Sequence, residues 1–143
     1  MIAQKSLSAN QTVITTADFD RLQGLLGSPR YRAMEAPLLT ALREELDQSK
    51  VIPADAVPES VVTMHSRVRV RDLEDQDSET YTLVYPQEAD MNENKLSVLA
   101  PLGRALLGAC VGQIVKFDAP AGQRQLMIEK ILYQPEASGH FHL

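Results

Sequence analysis

The first third of the chain has apolar residues at the three- and four-residue intervals that are typical of amphipathic helices. The first stripe predicts a helix over residues 17–26, and Thr15 or Thr16 can serve as its N-cap. A second stripe predicts a helix over about residues 37–49. The leucines on its apolar side are Leu38, Leu39, Leu42 and Leu46. Two amphipathic helices joined by a short loop predict an antiparallel helical hairpin, a short coiled coil, in residues 1–50.

After residue 60 the spacing of hydrophobic residues changes from the helical period to strand-like alternation. Residues 51–60 lie between the two patterns and contain two prolines, so they are predicted to be a linker. The strand-like runs that follow are Val61–Arg71, Glu79–Tyr85, Leu96–Leu99, Gln113–Asp118 and Arg124–Tyr133. They predict a mostly antiparallel five-stranded sheet in residues 61–143. The chain is therefore predicted to be an α+β protein.

One short helix interrupts the strand pattern between residues 96 and 115. Pro101 fits the first position of this helix, since its missing N–H has no partner within a helix there. The helix is predicted to end near Gly108, and Gly112 favours a turn into the next strand. The residues that share one helical face are Leu102, Ala105 and Leu106. This spacing predicts a strand–helix–strand unit packed on the sheet.

Charge and composition narrow the choice of partner and compartment. The chain of 143 residues has a formal net charge of −5, and the whole deficit lies after residue 50. An acidic chain is repelled by phosphate backbones, so DNA or RNA is not expected to be a direct partner. No apolar run approaches the ~20 residues of a membrane span, and residues 1–12 are too polar for a secretory signal. A single cysteine, Cys110, suits the reducing cytoplasm, where we expect the protein.

Charged residues form two adjacent clusters in the predicted sheet. Arg67, Arg69 and Arg71 share one face of a strand and could contact phosphate or an acidic protein. The alternative is a solvated face that is balanced by the acidic loop at residues 72–77. That loop lacks the spacing of carboxylates that a calcium loop requires, so we interpret it as a hairpin tip.

The sequence gives little support for catalysis or metal binding. His140 and His142 are not accompanied by the Cys, Asp or Glu residues that would complete a metal site, and His65 is isolated. Cys110 has no neighbouring histidine that would activate a nucleophile. No glycine-rich phosphate loop and no Ser-His-Asp spacing is recognisable. We therefore predict no catalytic residue, no metal and no cofactor.

Several segments, taken in order, resemble the C-terminal domain of bacterial Gre-type transcription elongation factors. The central one is LSVLAPLGRALLG at residues 96–108, and VVTMHSRVRVR at residues 61–71 extends the match. YTLVYP at residues 81–86 and YQPEA at residues 133–137, together with a very short N-terminal region, resemble the Rnk branch of that family. Members of this branch are named regulators of nucleoside diphosphate kinase. The resemblance covers roughly residues 13–140.

The resemblance implies an FKBP-like fold for residues 61–143 and bacterial RNA polymerase as the partner. In that family the C-terminal domain docks at the rim of the secondary channel of the polymerase, and the helical hairpin points inward. The residues carried over as a docking segment are Ser97, Pro101, Leu102, Gly103, Arg104, Ala105 and Leu106. Contacts with DNA or RNA would then arise only through the polymerase.

The hairpin itself departs from the pattern of cleavage-stimulating Gre factors. Those factors carry a longer hairpin whose tip has paired carboxylates, and these help to hold a second metal ion in the polymerase active site. Here the predicted helices extend only roughly 15–20 Å, and the hairpin tip has Arg30, Arg32 and a single acid, Glu35. We therefore expect a non-enzymatic protein that occupies the channel entrance without stimulating transcript cleavage.

Two other functions stay open at this point. The implied fold is shared with peptidyl-prolyl isomerases, but such a pocket should be lined with aromatic residues. The chain has no tryptophan, and the aromatic residues on predicted strands are Tyr81, Tyr85, Phe117 and Tyr133. The third possibility is regulation of nucleoside diphosphate kinase through another protein, for which no residue identifies the partner. The oligomeric state is also left open.

Overall fold

A computed structural model of the protein describes residues 12–29, 36–120 and 122–140. The predicted hairpin-tip residues Arg30, Arg32 and Glu35 lie outside these ranges. In chain order, the α-helices and strands with described bounds are β1 (Val13–Thr15), α1 (Thr16–Leu26), α2 (Ala36–Gln48), β2 (Lys50–Ile52), β3 (Arg67–Asp72), β4 (Ser78–Val84), β5 (Lys95–Ser97), α3 (Pro101–Leu106), β6 (Ile114–Ala119) and β7 (Gly122–Tyr133). Single turns of 3₁₀-helix lie at residues 54–56, 86–88 and 91–93.

Both predicted N-terminal helices are present, with bounds within one residue of those expected. Thr15 caps α1, and its hydroxyl oxygen accepts a hydrogen bond from the Asp18 N–H at 3.1 Å. Gly27 ends α1, and its N–H donates to the carbonyl oxygen of Gln23 at 3.1 Å. Leu38 has a side chain outside the described part of the structure, and the other leucines of the second stripe are buried with part of the first stripe, as their spacing predicts. The buried leucines of the two stripes are Leu22, Leu26, Leu39, Leu42 and Leu46.

Two short strands flank these helices and were not predicted. β1 and β2 pair in parallel, with Val13 opposite Lys50 and Thr15 opposite Ile52. Each has three residues, which is too short for alternation of polar and apolar positions to be recognised. The end of β2 falls in the segment that was predicted to be a linker, and Pro53 follows it directly. The division into residues 1–50, 51–60 and 61–143 stays a prediction.

The five-stranded, mostly antiparallel sheet is confirmed, with the strand order β5-β4-β3-β7-β6. Only the β4–β5 pair is parallel among its four pairings. β3 begins at Arg67 rather than Val61, so the expected start of this strand is wrong. Residues 61–66 instead form a loop, in which the Ser66 N–H donates to the Thr63 carbonyl oxygen and His65 has a φ of 69°. Four consecutive residues of this loop, Val61 to Met64, are buried, and the apolar Val62 and Met64 at alternate positions imitate the pattern of a strand.

The sheet and the helices share one hydrophobic core. Val68 and Val70 point inward from β3 and belong to one buried cluster with Leu106 of α3, which is 0% exposed. The same buried cluster includes Leu22 of α1 and Leu42 of α2. Every second residue of β3 therefore faces the core, and its arginines lie on the opposite face of the sheet, as alternation predicts.

Candidate functional site

The short helix α3 lies very close to the strand that precedes it. Its N-cap, Ala100, is extended, and Pro101 occupies the first turn, as the sequence predicts. Gly103 faces β5 so closely that a β-carbon there would overlap the carbonyl oxygen of Ser97 and lie 2.9 Å from its carbonyl carbon. The position of α3 on the sheet therefore depends on the absence of a side chain at residue 103.

The structure divides the predicted docking segment into supporting and exposed residues. The buried members are Leu102, Gly103 and Leu106. The members with exposed surface are Ser97, Pro101, Arg104 and Ala105. The Ser97 hydroxyl oxygen accepts a hydrogen bond from the Leu99 N–H at 3.0 Å, which fixes the turn into α3. A partner could therefore touch α3 through Pro101 and through parts of the half-buried side chains, while the buried residues hold the helix in place.

Arg104 connects α3 with α2. Its Nη1 donates to the carbonyl oxygen of Leu99 at 2.9 Å, and its Nε lies 4.0 Å from Oε1 of Glu45. Burial raises the pKa of the Glu45 carboxyl, and the nearby Arg104 guanidinium acts in the opposite direction. The exposed end of the docking segment is thus linked to the N-terminal helices.

Two concave regions border α3. The first, which we call the sheet cleft, has a volume of about 250 Å³, with Leu102 and Phe117 in its apolar part and Tyr81 as its other aromatic residue. Its polar rim consists of Asp72, Asp75, Asp77, Glu79 and Arg124. Ligand pockets usually have volumes of roughly 300–1,000 Å³ and several aromatic residues. The sheet cleft is smaller and more acidic than such a pocket.

The second region, which we call the helix groove, has a volume of about 350 Å³ and lies along the exposed side of α3. It is lined by Glu45, Pro101, Arg104, Ala105, Lys116, Phe117 and Asp118. Charges of both signs surround a proline, an alanine and a phenylalanine. A small apolar centre with a charged rim is the usual composition of a protein–protein contact.

A buried carboxylate joins the N-terminal helix to the loop that precedes the sheet. Asp18 is 2% exposed, and its Oδ2 accepts a hydrogen bond from the Met64 N–H at 3.0 Å. Burial raises the pKa of Asp18 to about 6, and the negative charge of Glu136 adds to the increase. Hydrogen bonds from Met64 and Thr15 and the charge of Arg21 lower it. The sequence does not predict this contact, because an acid in the first turn of a helix is normally solvated.

Each of the two charged clusters of the sheet is paired with a residue of β7. Glu129 lies between Arg69 and Arg71, with its two oxygens 3.3 Å and 2.5 Å from their nitrogens. At the acidic loop, Asp72 pairs with Arg124 and accepts a hydrogen bond from the Glu74 N–H at 2.8 Å. These hydrogen bonds hold the pKa of Asp72 below its usual range. The loop is therefore ordered by contacts within the chain.

The remaining candidates do not assemble into a reactive site in the part of the chain that the structure describes. His140 Nδ1 lies 2.6 Å from the Tyr133 hydroxyl, and His142 is outside the described residues. Burial raises the pKa of Cys110, which makes its thiol less reactive. Across residues 12–29, 36–120 and 122–140, no three His, Cys, Asp or Glu residues are grouped as metal ligands. None of the helices described there is long and apolar enough to span a membrane.

Comparison with known proteins gives matches to both parts of the chain. The family described as "Transcription elongation factor, GreA/GreB, C-term" matches residues 57–133, and "Rnk N-terminus" matches residues 11–52. A protein of Escherichia coli K12 named regulator of nucleoside diphosphate kinase is 38% identical over 138 residues, which are 96% of this chain and 100% of that relative. Transcription elongation factor GreA of Amoebophilus asiaticus is 33% identical over 95 residues, 66% of this chain and 60% of that protein.

A solved structure of another protein has a fold similar to that of this chain. The prokaryotic transcription elongation factor GreA/GreB from Nitrosomonas europaea has a TM-score of 0.70 and 33% sequence identity. The match covers 86% of this chain and 98% of that one. This chain and the Nitrosomonas europaea protein therefore share the mixed α+β fold with its five-stranded sheet.

Proposed function

Because the chain belongs to the GreA/GreB family of transcription elongation factors and carries the Rnk N-terminal segment, we propose that it binds bacterial RNA polymerase at the entrance of the secondary channel. We propose further that it does not stimulate transcript cleavage. The observation that carries this second point is the absence of paired carboxylates near the hairpin tip. Residues 21–43 contain four arginines and one acid, Glu35.

The lengths of the helices support the same conclusion. α1 has 11 residues and α2 has 13, so each extends roughly 16–20 Å. Asp20 lies in the first turns of α1, and Glu44, Glu45 and Asp47 lie in the last turns of α2, which are the ends away from the segment that connects the helices in the sequence. A second metal ion needs negative oxygens at the point that reaches the polymerase active site. The proposed activity is therefore occupancy of the channel entrance.

We expect stalled elongation complexes to keep their transcripts intact when the purified protein is added. The same addition should reduce the cleavage that an added GreA factor causes, since both proteins would compete for one channel entrance. Gel analysis of end-labelled RNA measures both effects. Shortened RNA in the presence of this protein alone would contradict the proposal.

The exposed side of α3 is the proposed contact with the polymerase. Pro101→Glu places a charge at an exposed first helical position, where the helix dipole favours an acid and the fold should be preserved. We expect this variant to bind core polymerase about tenfold more weakly. The contact that buries residue 101 in the complex would then contribute about 1.4 kcal/mol less to the free energy of binding. A substitution of Leu102 is less informative, since its side chain is only 8% exposed and a polar replacement would disturb the core.

The matched control is Pro53→Glu, which introduces the same change at another exposed proline, before a 3₁₀ turn. Binding of both variants to fluorescently labelled core polymerase can be measured by titration. Equal affinities for Pro101→Glu and Pro53→Glu would remove α3 from the interface.

Three structural details belong to the same proposal. The two N-terminal helices would form a short antiparallel hairpin that points into the channel, and residues 61–143 would form an FKBP-like domain at its rim. The segment 51–60 would separate the two units, and the protein would act in the cytoplasm, where its partner is found.

We do not extend the proposal to peptidyl-prolyl isomerase activity, because the sheet cleft has only Tyr81 and Phe117 as aromatic lining.

A second candidate follows from the identity of 38% with the Escherichia coli regulator of nucleoside diphosphate kinase. In this case the protein would alter that kinase through another protein, and polymerase is itself one possible intermediary. A change in the rate of purified kinase when this protein alone is added would show a direct effect and would contradict the need for another protein. An unchanged rate together with polymerase binding would favour the first candidate.

A further inference from the structure

The face of the sheet opposite the core carries a row of arginines on its central strand. We call this row, Arg67, Arg69 and Arg71 of β3, the basic strip. The side chains of Arg69 and Arg71 are 53% and 40% exposed. Lys130 of β7 is exposed beside Arg69 in the strand register. The strip therefore concentrates positive charge on one face of a chain whose net charge is −5.

Exposed apolar side chains lie beside both ends of the basic strip, with charged residues of β7 between them, and we call them the apolar row. Arg71 is opposite Met127 of β7, and Met127 is opposite Ile114 of β6, which is 49% exposed. Leu132, farther along β7, follows the partly buried Ile131 and is 45% exposed. Large exposed apolar residues next to a row of arginines are typical of contact surfaces, where arginine is enriched.

Glu129 shows how a carboxylate fits this surface. Its Oε2 lies 2.5 Å from Arg71 and its Oε1 lies 3.3 Å from Arg69, while its side chain is 17% exposed. Arg67 makes no ion pair with any other residue in the described ranges. The strip with Lys130 thus holds more positive charge than its one internal carboxylate neutralises.

We propose that the basic strip and the adjacent apolar row form a docking surface for an acidic amphipathic helix of a partner protein. Alternate residues of a strand are roughly 6.6 Å apart, and carboxylates at positions i and i+4 of a helix are about 6 Å apart along its axis. Such a helix can place carboxylates on the arginines and an apolar stripe on Ile114 and Leu132. This surface lies on the sheet and is distinct from the proposed polymerase contact on α3.

A protein segment suits this surface better than a nucleic acid. β3 leads directly into the acidic loop, whose residues are Asp72, Glu74, Asp75 and Asp77. A phosphate backbone that followed the arginines would soon meet this negative charge, and single-stranded nucleic acid usually requires aromatic residues on which bases stack. A short acidic helix would contact the arginines and stop before the loop.

The test uses a synthetic fluorescent peptide with glutamates at i and i+4 spacing and leucines on the adjacent stripe. We expect Arg67→Gln/Arg69→Gln to weaken its binding about tenfold, because two charge-assisted contacts are lost. The matched control is Arg43→Gln/Lys50→Gln, which removes the same charge from exposed positions on α2 and β2 and should leave affinity unchanged. A peptide with glutamine in place of glutamate should not bind.

The single variant Arg67→Gln keeps the experiment decisive if the double variant is unstable, since Arg67 has no ion pair among the described residues to lose. Fluorescence anisotropy of the peptide, and of a labelled single-stranded RNA of similar length, measures the affinities. Failure of the peptide to bind, equal losses in the control, or tighter binding of the RNA would each overturn the proposal.

Discussion

Replacing Gly103 with alanine is expected to destabilise the protein by about 3 kcal/mol or more. The new methyl group would overlap the Ser97 carbonyl oxygen, which is backbone and cannot rotate away. Helix α3 would have to move from β5, and Leu106, which is 0% exposed, would lose its packing. Denaturation in urea, followed by circular dichroism, measures the loss of unfolding free energy.

Gly24→Ala is the matched control for this substitution. Gly24 lies in α1, is exposed, and its new methyl group would have no atom within 4 Å apart from its chain neighbours and the backbone of its own helix. Alanine favours a helix over glycine, so we expect stability to increase by about 0.5–1 kcal/mol. A Gly103→Ala variant as stable as Gly24→Ala would show that α3 does not depend on close contact with β5. The loss at residue 103 should also weaken polymerase binding, because the exposed Pro101 would move with the helix.

The second large effect expected is a dependence of stability on pH that comes from Asp18. Burial raises its pKa from 3.8 to about 6 in the folded protein. An acid whose pKa is higher in the folded than in the unfolded protein stabilises the fold in its protonated form. This stabilisation is complete below the pKa of the unfolded state and is lost as the pH rises through the pKa of the folded state. The share of the unfolding free energy due to Asp18 should therefore fall by about 3 kcal/mol from pH 3 to pH 8.

Asp18→Asn isolates this effect, since an amide oxygen can still accept the hydrogen bond from the Met64 N–H. We expect the variant to exceed the original protein in stability by about 2 kcal/mol at pH 8, and to be close to it at pH 4. Asp20→Asn, at an exposed position two residues later, is the control and should change stability little at either pH. Urea unfolding from pH 4 to pH 8 measures the difference. If Asp18→Asn is less stable than the original protein at pH 8 and matches it at pH 4, the carboxylate is needed in its charged form and the expectation is wrong.

Local signals were sufficient for most elements of the fold. A threonine before the first apolar stripe and a glycine after it set the limits of α1, because capping is decided by neighbours three or four residues away. Strand-like runs identified the five strands of the sheet, although the start of β3 was placed too early, and Pro101 marked the start of α3. The family was also evident from the sequence, since the segment at residues 96–108 combines several positions in a fixed order.

The sequence could not tell what each buried residue is buried against. Residues 61–66 alternate like a strand, yet they form a loop whose apolar side chains enter the core. Leu102 and Leu106 fit both packing on the sheet and a docking segment for a partner, and the structure shows that they are buried within the chain. A hydrophobic pattern indicates only that a residue is buried. It does not indicate whether a partner protein or the chain's own sheet covers that residue.

Tertiary structure alone decided the environment of the charged groups. Asp18 and Met64 are 46 positions apart in the chain, and Glu129 is 58 positions from Arg71. Hydrogen bonds and ion pairs depend on distances of about 3 Å, which sequence separations of this size do not determine. The raised pKa of Asp18 and the basic strip beside its apolar row arise only when the folded chain brings these segments together, because pairing and desolvation depend on distance and burial.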